Sequence, residues 1–225
     1  MLAGKTILLA GALAALVGMA HAEEQGRWQP LADHADCRVW NPSPEADETA
    51  TWSGPCKDGY AHGNGTLTWR YSVEGERREE IYVGDMRKGK LHGFGVSTWP
   101  NGDRFEGHWQ DDKANGHGVA VWADGARYEG GWRADKRHGY GVYMDANGDR
   151  YEGEWKDGYQ NGQGVYVWAD GERYEGGWKD DKPNGTGVWH DKHGDSYRGT
   201  WTNGCFEEGG RFASIGTTAE ACGFD

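Results

Sequence analysis

Nine histidines, four cysteines, 36 acidic residues and a periodic run of aromatic rings are the groups in these 225 residues that could do chemistry. His62, His92 and His138 share one recurring position just before a glycine, which Asn115, Asn161 and Asn184 fill elsewhere. His and Asn both tolerate the left-handed backbone of a turn, so a turn role accounts for the alternation better than metal binding. His190, Asp191 and His193 form the one dense cluster, and it reads as a solvated turn. Asp111-Asp112 and Asp180-Asp181 read as solvated hairpin ends, because no loop supplies the ladder of oxygens that calcium takes. No metal and no cofactor is expected.

The serines lack the G-x-S-x-G elbow of a hydrolase nucleophile. Asp145 and Asp191 stand two repeats apart, about 20 Å by strand spacing, too far for a glycosidase carboxylate pair at about 5–9.5 Å. Gly-x-Gly recurs, but without the strand-to-helix setting of a phosphate loop. No catalytic residue is expected, and the chain reads as a non-enzyme. The rings remain. Trp109, Trp132, Trp155, Trp178 and Trp201 recur every 23 residues, as do Tyr128, Tyr151, Tyr174 and Tyr197. Such rings either form the core or line an open groove. The candidate groove is Tyr128, Trp132, Tyr151, Trp155, Tyr174 and Trp178, with Trp122 and Trp168.

These rings must be positioned by short strands. The chain holds 39 Gly, 13 Trp and 11 Tyr, while Leu, Ile and Val are scarce outside its first residues. That excludes a leucine-rich helical bundle, and the aromatic content argues against disorder. Tyr82, Phe105, Tyr128, Tyr151, Tyr174 and Tyr197 keep one phase at a 23-residue step. In one unit, Tyr151-x-Gly153-x-Trp155 alternates with period two, which marks a strand with one packed face. Gly164–Trp168, rich in Val and aromatics, predicts a second strand. Asn161-Gly162 is expected to turn the chain between them, and Asp170-Gly171 to turn it after the second. A degenerate copy starts at Trp52, with a seven-residue insertion around Tyr71–Arg77. A lone hairpin cannot bury its aromatic face, so neighbours must stack.

The spacing Tyr151, Gly153, Trp155, Gly158, Gly162, Gly164, Gly171 closely resembles the MORN (membrane occupation and recognition nexus) repeat. The resemblance implies an all-β fold: an elongated, single-layer, twisted antiparallel sheet of tandem 23-residue hairpins. It further implies a docking or membrane-associating module, in many members fused to a separate catalytic domain. The flanks here are too short for such a domain. Met86 and Cys56 replace the first-strand Trp at the N-terminal end of the array, where atypical copies are expected, and Asp145 and Asp191 replace the second-strand Trp seen at Trp99, Trp122 and Trp168.

Met1–Ala22 reads as a signal peptide, with Lys5, an apolar run and an Ala20-His21-Ala22 cleavage site. Domain bounds follow: 1–22 leader, 23–51 N-terminal flank, 52–204 repeat array, 205–225 C-terminal cap. Export to a periplasm or out of the cell makes Cys37, Cys56, Cys205 and Cys222 readable as disulfides. About a dozen strands between Cys56 and Cys205 would separate the array ends by roughly 50–60 Å. A bridge needs Cα atoms within about 7 Å, which leaves Cys37–Cys56 and Cys205–Cys222, each pinning a flank over a sheet end.

The net charge of −12 becomes −13 once the leader, with Lys5 as its one charge, is removed. That disfavours nucleic acid and anionic lipid surfaces. The expected function is docking of another envelope or secreted protein along the aromatic groove. Glycan or cell-wall binding is the alternative, and lipid association is implied by the family alone. Non-reducing mass spectrometry is expected to find no free thiol and one bridge within each terminal pair; a Cys37–Cys222 link would contradict the array.

Overall fold

The computed structural model describes residues 26–45 and 47–224, so the predicted leader lies outside the described residues. Nineteen strands occur among them. The first ten are β1 (Arg27–Pro30), β2 (Arg38–Asn41), β3 (Thr49–Trp52), β4 (Cys56–Lys57), β5 (Tyr60–Ala61), β6 (Gly63–Val73), β7 (Glu76–Arg87), β8 (Lys90–Thr98), β9 (Arg104–Gln110) and β10 (Lys113–Val121). The rest are β11 (Arg127–Arg133), β12 (Lys136–Met144), β13 (Arg150–Lys156), β14 (Tyr159–Val167), β15 (Arg173–Lys179), β16 (Lys182–His190), β17 (Ser196–Thr202), β18 (Cys205–Glu208) and β19 (Arg211–Ser214). Fifteen of them belong to one antiparallel sheet. The described chain divides into two units, 26–118 and 119–224. In the first, the sheet order is β3-β6-β7-β8-β9-β10; in the second, β11 to β19 follow in chain order.

Each repeat is a seven-residue strand and a nine-residue strand, as in β13 and β14. The hairpin turn between these two is Asp157-Gly158, with φ of 53° and 99°. Two positive φ values make a type I′ turn, whose twist matches the flanking strands. The expected turn at Asn161-Gly162 is therefore corrected: that dipeptide lies inside β14. Its glycine, at φ 69°, serves a β-bulge. β14 pairs Gly164 with Gly153 and Gln160 with Trp155, so its pairing with β13 shifts there. Its pairing with β15 runs straight from Gly162↔Trp178 to Val167↔Arg173. His92 and His138 occupy the same bulge position in β8 and β12, not a turn. Asp170-Gly171 does turn the chain between repeats, with the Gly171 N–H donating to the Trp168 carbonyl at 2.9 Å.

The insertion lengthens a hairpin instead of looping out. β6 and β7 have 11 and 12 residues and pair without a break from Gly63↔Met86 to Val73↔Glu76. β1 and β2 of the N-terminal flank join β4 and β5 of the first, degenerate copy in a separate sheet of order β1-β2-β5-β4. Cys37–Cys56, with Cα atoms 6.0 Å apart, ties that sheet together. The adjoining loop covers the outer edge of β3: Ala32 N–H donates to the Ala50 carbonyl (2.8 Å) and Trp52 N–H to the Asp33 carboxylate (3.2 Å). In the second unit Cys205–Cys222, at 5.6 Å between Cα atoms, pins the last turn to β18. Phe206 closes the ring array against Trp201 at 5.2 Å.

One carboxyl is held unfavourably in the first unit. Glu80, opposite Trp69 on the β6–β7 ladder, is pushed up to about 7 by burial and by the charge of Glu48, against a hydrogen bond from Trp99. A carboxyl raised in the folded state contributes stability below its unfolded pKa, and that stability is lost as pH rises through about 7. Glu80→Gln is expected to raise the denaturant midpoint at pH 8, by on the order of 3 kcal/mol in free energy, and to leave it nearly unchanged at pH 4. Equal effects at both values would contradict the assignment.

Candidate functional site

The aromatic face is built by a two-step rule. Along a first strand, Tyr151, Gly153 and Trp155 point one way, while Arg150 and Glu152 point the other and pair at 2.5 Å. The same half-exposed Arg–Glu pair recurs as Arg127–Glu129 and Arg173–Glu175. Such exposed pairs add little stability, so this outer face is a solvated one.

On the inner face Tyr128, Tyr151 and Tyr174 each meet two tryptophans edge to face. Tyr151 lies 5.1 Å from Trp155 of its own repeat and 5.4 Å from Trp178 of the next. Tyr128 does the same with Trp132 (5.1 Å) and Trp155 (5.4 Å), and Tyr174 with Trp178 (5.2 Å) and Trp201 (5.3 Å). Backbone carbonyls satisfy the polar tips of the central rings, while the buried Trp201 Nε1 has no hydrogen-bond partner among the described residues. Tyr151 Oη donates to the Glu154 carbonyl at 3.0 Å, and Trp155 Nε1 to the Gly141 carbonyl at 3.2 Å. Burial pushes the Tyr128, Tyr151 and Tyr174 hydroxyls up, so they stay neutral donors. The first unit uses the same pattern, with Phe105 5.0 Å from Trp109 and Trp109 Nε1 on the Gly95 carbonyl.

Of the eight candidate groove residues, six form a packed interior. Tyr128, Tyr151 and Tyr174 are 0 % exposed, and Trp132, Trp155 and Trp178 are 3 % exposed. Trp122 and Trp168 are half-buried and rim that interior, against Tyr143 (6.0 Å) and Tyr166 (4.5 Å). Of the eight, only this rim pair keeps appreciable surface open. Among the described residues no group of three His, Cys, Asp or Glu could hold a metal ion.

Sequence reasoning missed two contributors. Tyr166 is buried between Tyr151 and Trp178, and its 23-residue echo of Tyr143 and Trp189 was the available signal. Arg137 carried none, because its position holds Leu91, Ala114, Gln160 and Pro183 in other copies. Its guanidinium lies 4.1 Å from the Trp155 ring centroid and 5.4 Å from Tyr143. It donates to the Gly158 carbonyl at 2.8 Å. Burial lowers its pKa, with the Asp181 charge opposing. Neutral phenols, indoles and a stacked cation bind by surface and hydrogen bonds, and nothing in this arrangement presents a nucleophile.

The rings fit because glycines face them. A Cβ on Gly164 would stand 2.4 Å from Tyr151 Oη, and one on Gly153 would stand 2.5 Å from the Gly164 Cα. Gly164→Ala is expected to lower stability by about 1–3 kcal/mol through overpacking, and Tyr151→Phe by about 1 kcal/mol through its lost hydrogen bond. Denaturant midpoints of the two variants check this; an unchanged Gly164→Ala midpoint would show that the ring can move aside.

A family model for the MORN repeat matches residues 57–70, 82–104, 105–127, 128–150, 151–173 and 174–196. The gap between the first two matches falls on the lengthened β6–β7 hairpin. No curated protein matches the chain. Among solved structures, the chain is similar to the SAS-4 (dCPAP) TCP domain of Drosophila melanogaster, solved in complex with a proline-rich motif of Ana2 (dSTIL). The identity is 14%, with a TM-score of 0.34 over 84% of this chain and 99% of that one. With six matches over more than half its length, the last five of them in 23-residue phase, the chain belongs to the MORN-repeat family of binding and scaffold repeats.

Proposed function

We propose that this protein is an exported, non-catalytic scaffold that docks another envelope or secreted protein across the aromatic face of its repeats. The observation that carries the reading is the pair of half-exposed indoles, Trp122 and Trp168, standing on a floor of packed rings. Tryptophan presents large contact area with a polar handle, which suits a wet docking surface, and such anchors carry a large share of interface energy. The floor, Tyr128, Trp132, Tyr151, Trp155, Tyr174 and Trp178, holds the anchors in place instead of meeting the partner itself. One disulfide between the N-terminal flank and the first copy and one within the C-terminal cap fit an oxidising compartment, which supports a periplasmic or secreted location.

The test is cross-linking of purified protein in envelope fractions of its own source. One enriched protein is expected, and Trp122→Ala with Trp168→Ala is expected to weaken its capture at least about tenfold while leaving the thermal midpoint near its original value. Undiminished capture by the double variant would remove the rim from the interface. Quenching of tryptophan fluorescence by soluble glycans, with no protein captured, would turn the reading to carbohydrate binding.

A further inference from the structure

The rim that carries Trp122 and Trp168 is acidic. Three successive turns between repeats, residues 123–126, 145–149 and 169–172, hold Asp124, Asp145, Asp149, Asp170 and Glu172 and no Lys, Arg or His. The following turn, 191–195, adds Asp191 and Asp195 against Lys192 and His193. Arg127, Arg150 and Arg173 stand just beyond the first three turns, but on the outer face, and each is paired with the glutamate two residues on, at 2.5–2.6 Å. On the ring face Arg137 lies 5.4 Å from the Tyr143 centroid, within reach of the Asp181 charge. Asp149 stands beside an anchor. Its carboxylate accepts from the Ala169 N–H at 2.9 Å and from Tyr166 Oη at 3.0 Å, and the Tyr166 ring lies 4.5 Å from that of Trp168. Both donors are neutral, so neither offsets the charge of the carboxylate. In the last copy the chain supplies a cation to the equivalent carboxylate itself. Asp195 holds the repeat position of Asp149, two repeats on. Arg211 lies 3.6 Å from the Asp195 carboxylate and 4.3 Å over the Tyr197 ring.

From these contacts we infer the chemistry of the protein segment that docks at the rim: it presents an arginine, whose guanidinium lies against the Trp168 indole and pairs with the Asp149 carboxylate. The inference rests on the docking role proposed above and names what is recognised there. An indole face attracts a cation. A planar guanidinium both stacks on a ring and forks onto a carboxylate, which a lysine ammonium does not. Arg211 does both in the last copy, and Arg137 stacks on Trp155 at 4.1 Å. An acidic partner would be repelled by the carboxylates of three turns, and an apolar one would strip water from Asp149 without replacing it.

The probe is a rhodamine-labelled Gly-Ser peptide carrying two arginines, read by anisotropy against the full chain at about 50 mM salt, where exposed charges are weakly screened. Saturable binding is expected, falling about tenfold or more in Asp149→Asn and in Trp168→Ala. Glu220→Gln, which removes one negative charge from the exposed C-terminal cap, is expected to leave it unchanged. A peptide with citrulline for arginine, alike in shape but neutral, is expected to bind the unaltered chain about tenfold more weakly. No saturable binding, equal binding of the citrulline peptide, or equal losses in Glu220→Gln and Asp149→Asn would each overturn the inference. Capture from envelope fractions separates it from the docking role. Full capture by Asp149→Asn, with loss in the Trp122→Ala and Trp168→Ala pair, would keep the rim and remove the arginine. Full capture by both would remove the rim and the inference with it.

Discussion

The structure depends on one contact: the edge of a tyrosine ring laid across a cross-strand pair of glycines. Gly153 faces Gly164, and the Tyr151 ring sits where either side chain would have stood. With no Cβ in the way, the ring lies down on its own sheet and reaches the tryptophan of the next repeat. Burying a ring this way is worth about 2–3 kcal/mol, and each ring is shared between two repeats. A sheet can thus bury large side chains without a second layer over it. That explains how a chain so poor in leucine and isoleucine still has a core, and why glycine is its commonest residue. It also makes stability cooperative between neighbours, since no repeat completes its own ring contacts.

The acidic charge follows partly from the same geometry. A type I′ turn needs two residues at positive φ, and Asp111-Asp112 and Asp180-Asp181 fill that need at φ between 48° and 68°. Their carboxylates then link hairpins: Asp112 accepts from Leu91 N–H at 2.8 Å and Asp181 from Gln160 N–H at 2.7 Å. Where Gly158 stands in the aspartate position no side chain can do this. Arg137 instead donates to the Gly158 carbonyl and stacks on Trp155. The buried arginine and the missing aspartate are one local solution.

Much of this was legible in the residues. The 23-residue phase, the alternation within Tyr151–Trp155 and the local pairing of the cysteines follow from spacing, chain direction and reach. The turn was misread because each unit holds several turn-forming dipeptides, and pattern alone ranks Asn161-Gly162 with Asp157-Gly158. Strand length decides between them. A turn at Asp157-Gly158 leaves two strands that span the ring face, and the second glycine absorbs the mismatch as a bulge. Burial was also illegible: alternation puts eight rings on one face, but only packing sorts six into the interior and leaves Trp122 and Trp168 at its rim.

That sorting bears on where recognition can reside. Positions of the ring-and-glycine contact vary little, with Phe105 for tyrosine and Met86 for the first-strand tryptophan, so they offer little to tell one partner from another. Information must sit where copies differ. The second-strand tryptophan is present at Trp122 and Trp168 but becomes Asp145 between them, whose carboxylate is spent on its own turn through Asn147 and Asp149 N–H. The rim thus alternates an apolar anchor, a gap and a second anchor, two repeats apart. Under the proposed docking role, the repeating hairpins supply the spacing, and the departure at Asp145 supplies the selectivity.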